Sequence, residues 1–336
     1  AIYAAKGRPS FNPLIVHVAD MEMAERIADW NAPARALATA FWPGALTLVL
    51  PLRDGAKVAT AVTAGLPTIA LRCPAHGVMR ALIGAVGRPL AAPSANLSGS
   101  ISPTSAAHVA ASLGARVPMI LDGGVCATGL ESTIVAVGDD AITLLRPGPI
   151  LPEMLSAVCG LPVRAHSGDA INAPGQLARH YAPGKPVLVD YMGAPDDAFC
   201  ISFGRAEGDY ILSISGDLAE AAAHLFDALH AGAAAPHPRI AIDLDATLSD
   251  LQWITDAYLL TLAALLIFGE LRLDLLRLVR LLLVAVDIRH QRVVAEAVHV
   301  ERDAAARGEG HLGSRREKAA VGTVVIGKQQ VVGGEL

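Results

Sequence analysis

The sequence contains few aromatic and few charged residues. Aromatic side chains make up 4% and charged side chains 18% of the 336 residues, whereas about 25% is the usual charged fraction of a soluble domain. Few aromatic rings are therefore available to stack on nucleic-acid bases. The net charge of −5 also provides no overall positive field for a phosphate backbone. This composition argues against a protein that binds nucleic acid over its whole surface.

The four cysteines, Cys73, Cys126, Cys159 and Cys200, lie far apart and form no C-x-x-C pair. This spacing argues against a structural zinc site and against a dense disulfide framework. A reducing, cytoplasmic setting is the simpler interpretation.

Several segments with a known chemical or targeting role are missing. The sequence contains no G-x-x-x-x-G-K-[ST] loop, no G-x-S-x-G turn and no H-E-x-x-H helix, which excludes the common patterns of P-loop ATPases, α/β-hydrolases and zinc proteases. No basic segment followed by an apolar stretch opens the chain, so we expect no secretory signal. The longest uncharged apolar stretch near the end, 257–269, is shorter than the ~20 residues of a membrane span. We therefore expect no membrane association.

Short apolar runs alternate with alanine-rich stretches, and hydrophobic residues reach 53% of the chain. The alternation predicts an α/β or α+β fold with buried strands and flanking helices. The strand-like runs are 14–18, 45–51, 68–71, 89–93, 132–137, 142–145, 187–191 and 199–203. The clearest helical stretches are 21–40, a helix capped by Ser102, and 217–231.

Changes in composition divide the chain into four parts. Residues 1–163 form a first α/β unit, and the Gly-, Pro- and Ala-rich residues 164–185 suit a linker. Residues 186–238 begin a second strand–helix unit. Residues 239–336 change to a Leu- and Arg-rich and then a Val- and Gly-rich composition, and we leave them unassigned.

Two loops have the residue types of an anion site. Lys6 and Arg8 lie one residue apart before Pro9, and Asn12 and a strand ending at His17 follow. We expect this loop to be exposed, and it suits either a phosphate grip or a solvated basic turn after a helix. The second loop runs from Ser94 through Asn96 to Gly99 and leads into a helix. Its backbone N–H groups suit an anion, although such loops also serve only as helix caps.

Three polar residues stand at predicted strand ends. Arg72 and Arg146 each close a strand, and Ser132 opens one. Together they predict a ligand crevice at one sheet edge, or simply solvated arginines. Glu131, beside Ser132, suits the orientation of a loop or an arginine, in either a structural or a chemical role.

Taken in order, seven segments resemble the threonylcarbamoyl-AMP synthase family. They are Lys6-Gly7-Arg8-Pro9, Pro13-Leu14-Ile15-Val16-His17, Phe41-Trp42-Pro43-Gly44, Ala70-Leu71-Arg72, Ser94-Ala95-Asn96-Leu97-Ser98-Gly99, Leu130-Glu131-Ser132-Thr133 and Arg146-Pro147-Gly148. The segment Arg179-His180-Tyr181-Ala182-Pro183 is similar to the linker of the longer, two-domain form. The resemblance covers about residues 1–238. It implies a YrdC-like twisted mixed sheet with flanking helices, plus a partial small Rossmann-like second domain.

The resemblance also implies a reaction. L-threonine and bicarbonate would form a carbamate whose carboxylate attacks the α-phosphate of ATP, with Mg²⁺ on the phosphates and diphosphate as leaving group. The product, threonylcarbamoyl-AMP, would pass to downstream proteins that modify tRNA. Such a transfer needs positioning and charge neutralisation more than a protein nucleophile.

The roles of individual residues follow from the same resemblance. Lys6 and Arg8 would act on the phosphates, and Tyr181 would cover the mouth of the site. The residues implied for ATP are Arg8, Asn12, Thr68, Asn96, Thr104 and Arg146. Those implied for threonine are His17, Arg72, Ser94 and Ser132.

The sequence departs from the family pattern at both ends. The family carries a segment with a Thr-Glu-Thr-x-Tyr-Gly-Leu stretch before the Lys-x-Arg loop, and this sequence does not show it. We therefore expect an N-terminally truncated chain with an incomplete threonine pocket and impaired activity. For residues 239–336 the alternatives are a frameshifted reading frame and a helical extension.

Two other functions remain open on sequence grounds. A non-catalytic YrdC-like module would bind a nucleotide, tRNA or double-stranded RNA through a local positive face. An accessory domain of a carbamoyltransferase would also resemble this family, but it would bring C-x-x-C pairs, which the sequence lacks.

Overall fold

A computed structural model describes residues 1–166, 173–174, 181–189 and 195–243, and the backbone of 323–326 and 329–332. The helices are α1 (Ile2–Lys6), α2 (Met21–Glu25), α3 (Ala32–Phe41), α4 (Thr60–Thr63), α5 (Gly77–Val86), α6 (Ala106–Leu113), α7 (Pro152–Cys159) and α8 (Leu218–Ala234). The strands are β1 (Ile15–His17), β2 (Leu46–Pro51), β3 (Thr68–Arg72), β4 (Leu90–Ala91), β5 (Met119–Leu121), β6 (Thr133–Val137), β7 (Ile142–Arg146), β8 (Val163–Ala165), β9 (Val187–Val189), β10 (Ala198–Ser202), β11 (Tyr210–Ile211), β12 (Arg239–Asp243), β13 (Thr323–Ile326) and β14 (Gln329–Val332).

The first unit is built on a seven-stranded mixed sheet with the order β4-β1-β3-β2-β6-β7-β8. Parallel pairs such as β1 with β3 stand beside antiparallel pairs such as β2 with β3. Helices flank this sheet. The mixed α/β architecture predicted from the sequence is therefore confirmed.

The two faces of this sheet have different environments, because alternate side chains of a strand lie on opposite faces. One face packs into the main hydrophobic core, where Val16, Leu48, Leu71 and Val135 are at most 1% exposed. The other face carries a smaller apolar cluster of Ile15, Val49, Ala70, Ile134, Leu145 and Ala173. Polar residues follow the same alternation toward the strand ends, so this second face is where a ligand site can form.

The second unit contains an all-parallel sheet with the order β11-β10-β12-β9. Apolar residues of β10 and β12 pack against α8 through Phe226 and Leu229. A parallel sheet requires crossover connections, and a helix on its face is the arrangement expected of a Rossmann-like unit.

The observed strands pass two boundaries drawn from composition. β8 pairs with β7, so the first sheet reaches Ala165, inside the segment taken as a linker from 164. β12 pairs with β10 and β9, so the second sheet reaches Asp243, past residue 238. β12 has only five residues and stands directly before a Leu- and Arg-rich stretch. Its composition therefore differs too little from that stretch for the end of the second unit to be recognised. Most of 239–336 lies outside the described residues, where the two alternatives for its origin stay predictions.

Two helix starts differ from the sequence predictions. The stretch 21–40 forms two helices, because Asn31 caps a new helix and Pro33 cannot continue an old one. The helix expected to begin at Ser102 is capped by Ser105, whose side chain accepts from the His108 N–H. The Ser102 hydroxyl instead donates to the Glu131 carboxylate. Among the described residues, no helix combines the length and apolar character of a membrane span.

The second unit packs directly on loops of the first. Gly129 has a φ of +66°, in the left-handed region, and a Cβ there would lie 2.2 Å from the Ala223 carbonyl oxygen of α8. The Ala182 N–H donates to the Gly99 carbonyl at 2.9 Å. Both loops lead to the polar face of the first sheet, so the second unit lies close to the candidate site.

Candidate active site

One edge of the first sheet collects four predicted site residues. β1, β3 and β7 end at this edge, and β6 begins there, as the pairing registers show. His17 lies opposite Arg72 in the parallel β1–β3 ladder, and Ser132 and Arg146 are hydrogen-bonded to each other. The strand ends therefore meet at one sheet edge, as predicted, and this edge is called the crevice below.

Arg72 has hydrogen-bonding capacity to spare. Its Nε donates to the Gly44 carbonyl at 2.9 Å, and within the described part of the chain its two Nη groups have no hydrogen-bond partner. Burial and the nearby Arg146 lower the pKa of Arg72 to about 10. A planar guanidinium with two available nitrogens suits a carboxylate held by two parallel hydrogen bonds.

Arg146 is buried and fixes Ser132. Its Nη2 donates to the Ser132 Oγ at 2.9 Å and to the Ser132 carbonyl at 2.8 Å. The same Oγ lies 2.8 Å from the Thr47 Oγ1 on β2. The serine hydroxyl is therefore held from two sides, and Thr47 joins the site although no sequence motif predicted it. A polar residue inside the apolar run 45–51 was the signal for it.

Glu131 connects three separate segments. Its Oε2 accepts from the Arg146 Nη1 at 2.9 Å and from the Tyr181 hydroxyl, and its Oε1 accepts from the Ser102 Oγ at 2.7 Å. Burial, together with the Glu131 charge, raises the pKa of Tyr181 well above its ordinary range, so this hydroxyl stays a donor. These contacts support the orientation by Glu131 of both an arginine and the loop that carries Ser102.

Lys6 is buried, contrary to the exposed loop expected from the sequence. Lys6 is only 2% exposed. Its Nζ donates to the Ser94 and Asn96 carbonyls at 2.5 Å and to the Asn96 Oδ1 at 3.0 Å. Burial and the charge of Arg8 lower the pKa of Lys6 to about 7. The basic loop and the 94–99 loop thus form one structure, closed by the Ser98 N–H, which donates to the Lys6 carbonyl.

Arg8 is also buried, at 9% exposure. Its Nη2 donates to the Asn12 Oδ1 at 2.6 Å and to the Pro13 carbonyl at 2.7 Å. Burial lowers its pKa to about 10, and Arg146 contributes in the same direction. The proximity of Arg8, Arg72 and Arg146 gives the site an excess of positive charge over Glu131, which favours anionic ligands.

Two predicted ATP residues lie away from this cluster. Thr104 is fully buried, and its Oγ1 contacts the His108 Nδ1 at 3.1 Å and donates to the Asp227 Oδ1 at 3.4 Å. Thr68 begins β3, four residues before Arg72 and opposite Pro51. By strand alternation Thr68 shares a face with Arg72 but lies at the other end of the strand.

His17 is completely buried at the end of β1. Burial and the charge of Arg72 lower the pKa of His17 to about 3. The imidazole is therefore neutral in the folded protein near neutral pH. This makes it a hydrogen-bonding group in the crevice without adding to the positive charge.

A pH dependence of stability follows from this burial. In the unfolded chain the His17 imidazole has its ordinary pKa of 6.5 and takes up a proton that the folded state excludes. The free energy of unfolding should therefore fall as the pH drops from about 6.5 toward about 3, and this group should have no effect above that window. Urea denaturation of the wild type and of His17→Gln at several pH values measures the difference. A variant with the same pH slope as the wild type would contradict the assignment.

Comparison with known proteins identifies the family. Residues 1–148 match the family described as "Telomere recombination" (Sua5_yciO_yrdC), and residues 150–243 match "Threonylcarbamoyl-AMP synthase, C-terminal domain". A relative from Mycobacterium tuberculosis is 36% identical over 163 residues, which span 48% of this chain and 73% of the relative. The chain belongs to the threonylcarbamoyl-AMP synthase family. The resemblance inferred from the sequence, including the two-domain form, is confirmed.

Other members of the threonylcarbamoyl-AMP synthase family are more similar. The synthase of Bacillus subtilis is 48% identical over 202 residues, with 58% of this chain and 57% of the relative covered. The synthase of Pyrococcus abyssi is 45% identical over 195 residues, with 56% of each covered. The chain thus spans slightly more than half the length of these curated relatives. The crystal structure of Pyrococcus abyssi Sua5 complexed with L-threonine superimposes with a TM-score of 0.69 at 35% identity and covers 79% of this chain and 83% of that one.

Proposed function

We propose that this chain is an L-threonylcarbamoyladenylate synthase, which converts ATP, L-threonine and bicarbonate into threonylcarbamoyl-AMP and diphosphate. The observation that carries the proposal is the half-buried Arg72, whose two Nη groups have no partner among the described residues, in a crevice with Arg146 and Ser132. This arrangement suits a small carboxylate next to a polyphosphate. Family membership and the L-threonine in the name of the Pyrococcus abyssi structure support the choice of amino acid.

Threonine is proposed to bind at the strand ends. Its carboxylate pairs with the Arg72 fork, and the neutral His17 and the fixed Ser132 hydroxyl supply hydrogen bonds around it. Ser94, whose carbonyl holds Lys6, is proposed to contact the threonine from the other loop. These groups are held by the sheet before the substrate arrives, which reduces the entropy lost on binding.

ATP is proposed to bind along the basic loop. Lys6 and Arg8 neutralise its phosphates, and Asn12, Asn96 and Arg146 hold the nucleotide, with Thr68 and Thr104 farther from the centre. In the structure described here the hydrogen bonds of Lys6 and Arg8 go to protein oxygens. Phosphate binding therefore exchanges some of these acceptors for phosphate oxygens, and the phosphate charge favours the protonated form of Lys6.

The reaction has two steps, each of which forms one bond and breaks another. Threonine and bicarbonate condense to a carbamate with loss of water, and a carbamate oxygen then forms a bond to the α-phosphorus. The bond from that phosphorus to the diphosphate oxygen breaks, so the negative charge moves to the leaving group. Cationic side chains that are already in place stabilise this charge without further rearrangement, which is the main contribution expected of the protein.

Mg²⁺ is proposed to accompany the phosphates. Within the described residues no group of three or more His, Cys, Asp or Glu side chains is placed to hold a metal ion. The described residues therefore do not form a metal cage by themselves, and we propose that Mg²⁺ takes most of its ligands from phosphate oxygens and water. Its contribution would be neutralisation of phosphate charge.

Tyr181 is proposed to close the mouth of the site. It is buried, has a φ of 58° and donates its hydroxyl to Glu131. Most of the segment before it, including 175–180, lies outside the described residues. A side chain tied to Glu131 keeps water from a labile adenylate. We propose a cytoplasmic enzyme whose product passes to tRNA-modification proteins.

The decisive experiment measures diphosphate released from ATP by the full chain. We expect release that requires both L-threonine and bicarbonate, and a threonylcarbamoyl-AMP product by mass spectrometry. ATP binding without threonine-dependent release would contradict the proposal and would favour the non-catalytic nucleotide- or RNA-binding module instead. Release of equal size without threonine would contradict it as well.

A further inference from the structure

Helix α8 of the second unit contacts a short loop of the first unit at two points. The His230 Nε2 donates to the Ser102 carbonyl at 3.1 Å, and the Asp227 Oδ1 accepts from the Thr104 Oγ1 at 3.4 Å. Ser102 and Thr104 are both completely buried. Buried polar groups of a loop that find partners on another unit fix the position of that loop.

The two α8 side chains are themselves held in place. The His230 ring stacks on the ring of His108 with centroids 3.8 Å apart and an interplanar angle of 19°. The Tyr210 hydroxyl donates to the Asp227 Oδ2 at 2.7 Å, while the other Asp227 oxygen lies 3.6 Å from the His108 Nε2. Residues from α6, β11 and α8 thus form one polar cluster, which we call the α8 contact.

The loop held by the α8 contact supports the candidate active site. The Ser102 Oγ donates to Glu131, which pairs with Arg146, and Arg146 fixes Ser132. The Thr104 carbonyl accepts from the Cys126 N–H at 2.9 Å, at the start of the loop that carries Glu131. Ser102 therefore connects His230, which bonds to its carbonyl, with Glu131, which accepts from its hydroxyl. Through Glu131 the hydrogen bonds continue to Arg146 and the crevice.

We infer that His230 and Asp227 are positioning residues for the reaction, which hold loop 102–104 and through it the Glu131–Arg146 pair. The inference rests on the proposed function and adds to it a role for the second unit. Small displacements of groups around a reacting centre reduce rates strongly. Loss of the His230 donor should therefore slow the reaction although His230 lies outside the crevice.

Three variants of the full chain test this inference. His230→Ala removes the donor, and His230→Gln keeps an N–H group at a similar distance. His224→Ala is the matched control, because His224 lies on the same helix but bonds to the Leu212 carbonyl within the second unit. We expect His230→Ala to lower kcat/KM for threonine about tenfold or more, His230→Gln to recover most of the loss, and His224→Ala to stay near the wild type. Equal losses in the two alanine variants, or no recovery by glutamine, would overturn the inference.

Hydrogen–deuterium exchange gives a readout that does not depend on activity. His230→Ala should speed exchange at the Cys126 amide and in the 126–133 segment, while His224→Ala should leave that segment unchanged. Unchanged exchange in His230→Ala would overturn the positioning role even if activity fell. A wild type without threonine-dependent diphosphate release would instead overturn the proposed function, and the exchange result would still decide whether α8 positions this loop.

Discussion

Arg72→Ala should remove most of the affinity for L-threonine while leaving the fold intact. In the proposed function, Arg72 offers a charged fork to the substrate carboxylate, and loss of one partner of a buried charge pair costs about 2–5 kcal/mol of binding free energy. This corresponds to threonine binding weakened roughly 30- to several-thousandfold. Stability should change little, because the variant loses one bond to the Gly44 carbonyl but also loses the repulsion between Arg72 and Arg146. Calorimetric titration with threonine measures the affinity.

Arg80→Ala provides the control for this prediction. Arg80 is exposed on α5, and its charge acts on the neighbouring Cys73 thiol. The two variants each remove one positive charge. A loss of threonine affinity that reflects only the overall electrostatic field would therefore appear in both. Similar threonine affinities for Arg72→Ala and Arg80→Ala would rule out the direct carboxylate contact.

Glu131→Ala should be the most destabilising change in the site. The carboxylate pairs with Arg146, and both side chains are largely buried, at 12% and 6% exposure. Removing it leaves the guanidinium without its counter-charge and removes the acceptor of Ser102 and Tyr181. Breaking a buried pair in this way costs about 3–5 kcal/mol of the free energy of unfolding. Urea denaturation measures this loss, and threonine-dependent diphosphate release should fall with it.

Two further variants provide comparisons for the loss of stability expected of Glu131→Ala. Glu131→Gln keeps an oxygen acceptor without the charge, so its loss of stability should be smaller than that of alanine. Glu22→Ala breaks the exposed pair with Arg26, whose side chains are 83% and 64% exposed, and should cost at most about 1 kcal/mol. If Glu131→Ala were no more destabilising than Glu22→Ala, the carboxylate would not hold Arg146.

The positions of the polar residues at the strand ends were predictable from the sequence, because local patterns determine where such strands begin and end. The runs that end at Arg72 and Arg146 and begin at Ser132 are short, apolar and bounded by polar residues. Such runs form buried strands, and the polar residue that follows lies at the sheet edge. Which strands are neighbours was not visible in the sequence, and the pairing of Thr47 with Ser132 depends on that order.

Burial of the basic loop and the partner of the Ser102 hydroxyl were not predictable in the same way. Local propensity places Lys6 and Arg8 in an exposed turn, but the turn packs against the 94–99 loop, almost ninety residues away, as the Lys6–Ser94 contact shows. Similarly, Ser102 has the residue type and spacing of a helix cap. A carboxylate 29 residues later takes its hydroxyl, and Ser105 caps the helix. Long-range partners overrode local preference in each case.

The brevity of β1 sets the dimensions of the crevice. The strand has three residues, Ile15–His17, and spans about 7 Å at the usual rise per residue. The chain before it is tied down by Arg8 through the Pro13 carbonyl, and its end is tied by the register of His17 with Arg72. The backbone, rather than flexible side chains, therefore fixes how far the proposed phosphate end of the site lies from the proposed carboxylate end. A deletion of one residue in this strand would shorten that distance and turn His17 toward the opposite face of the sheet.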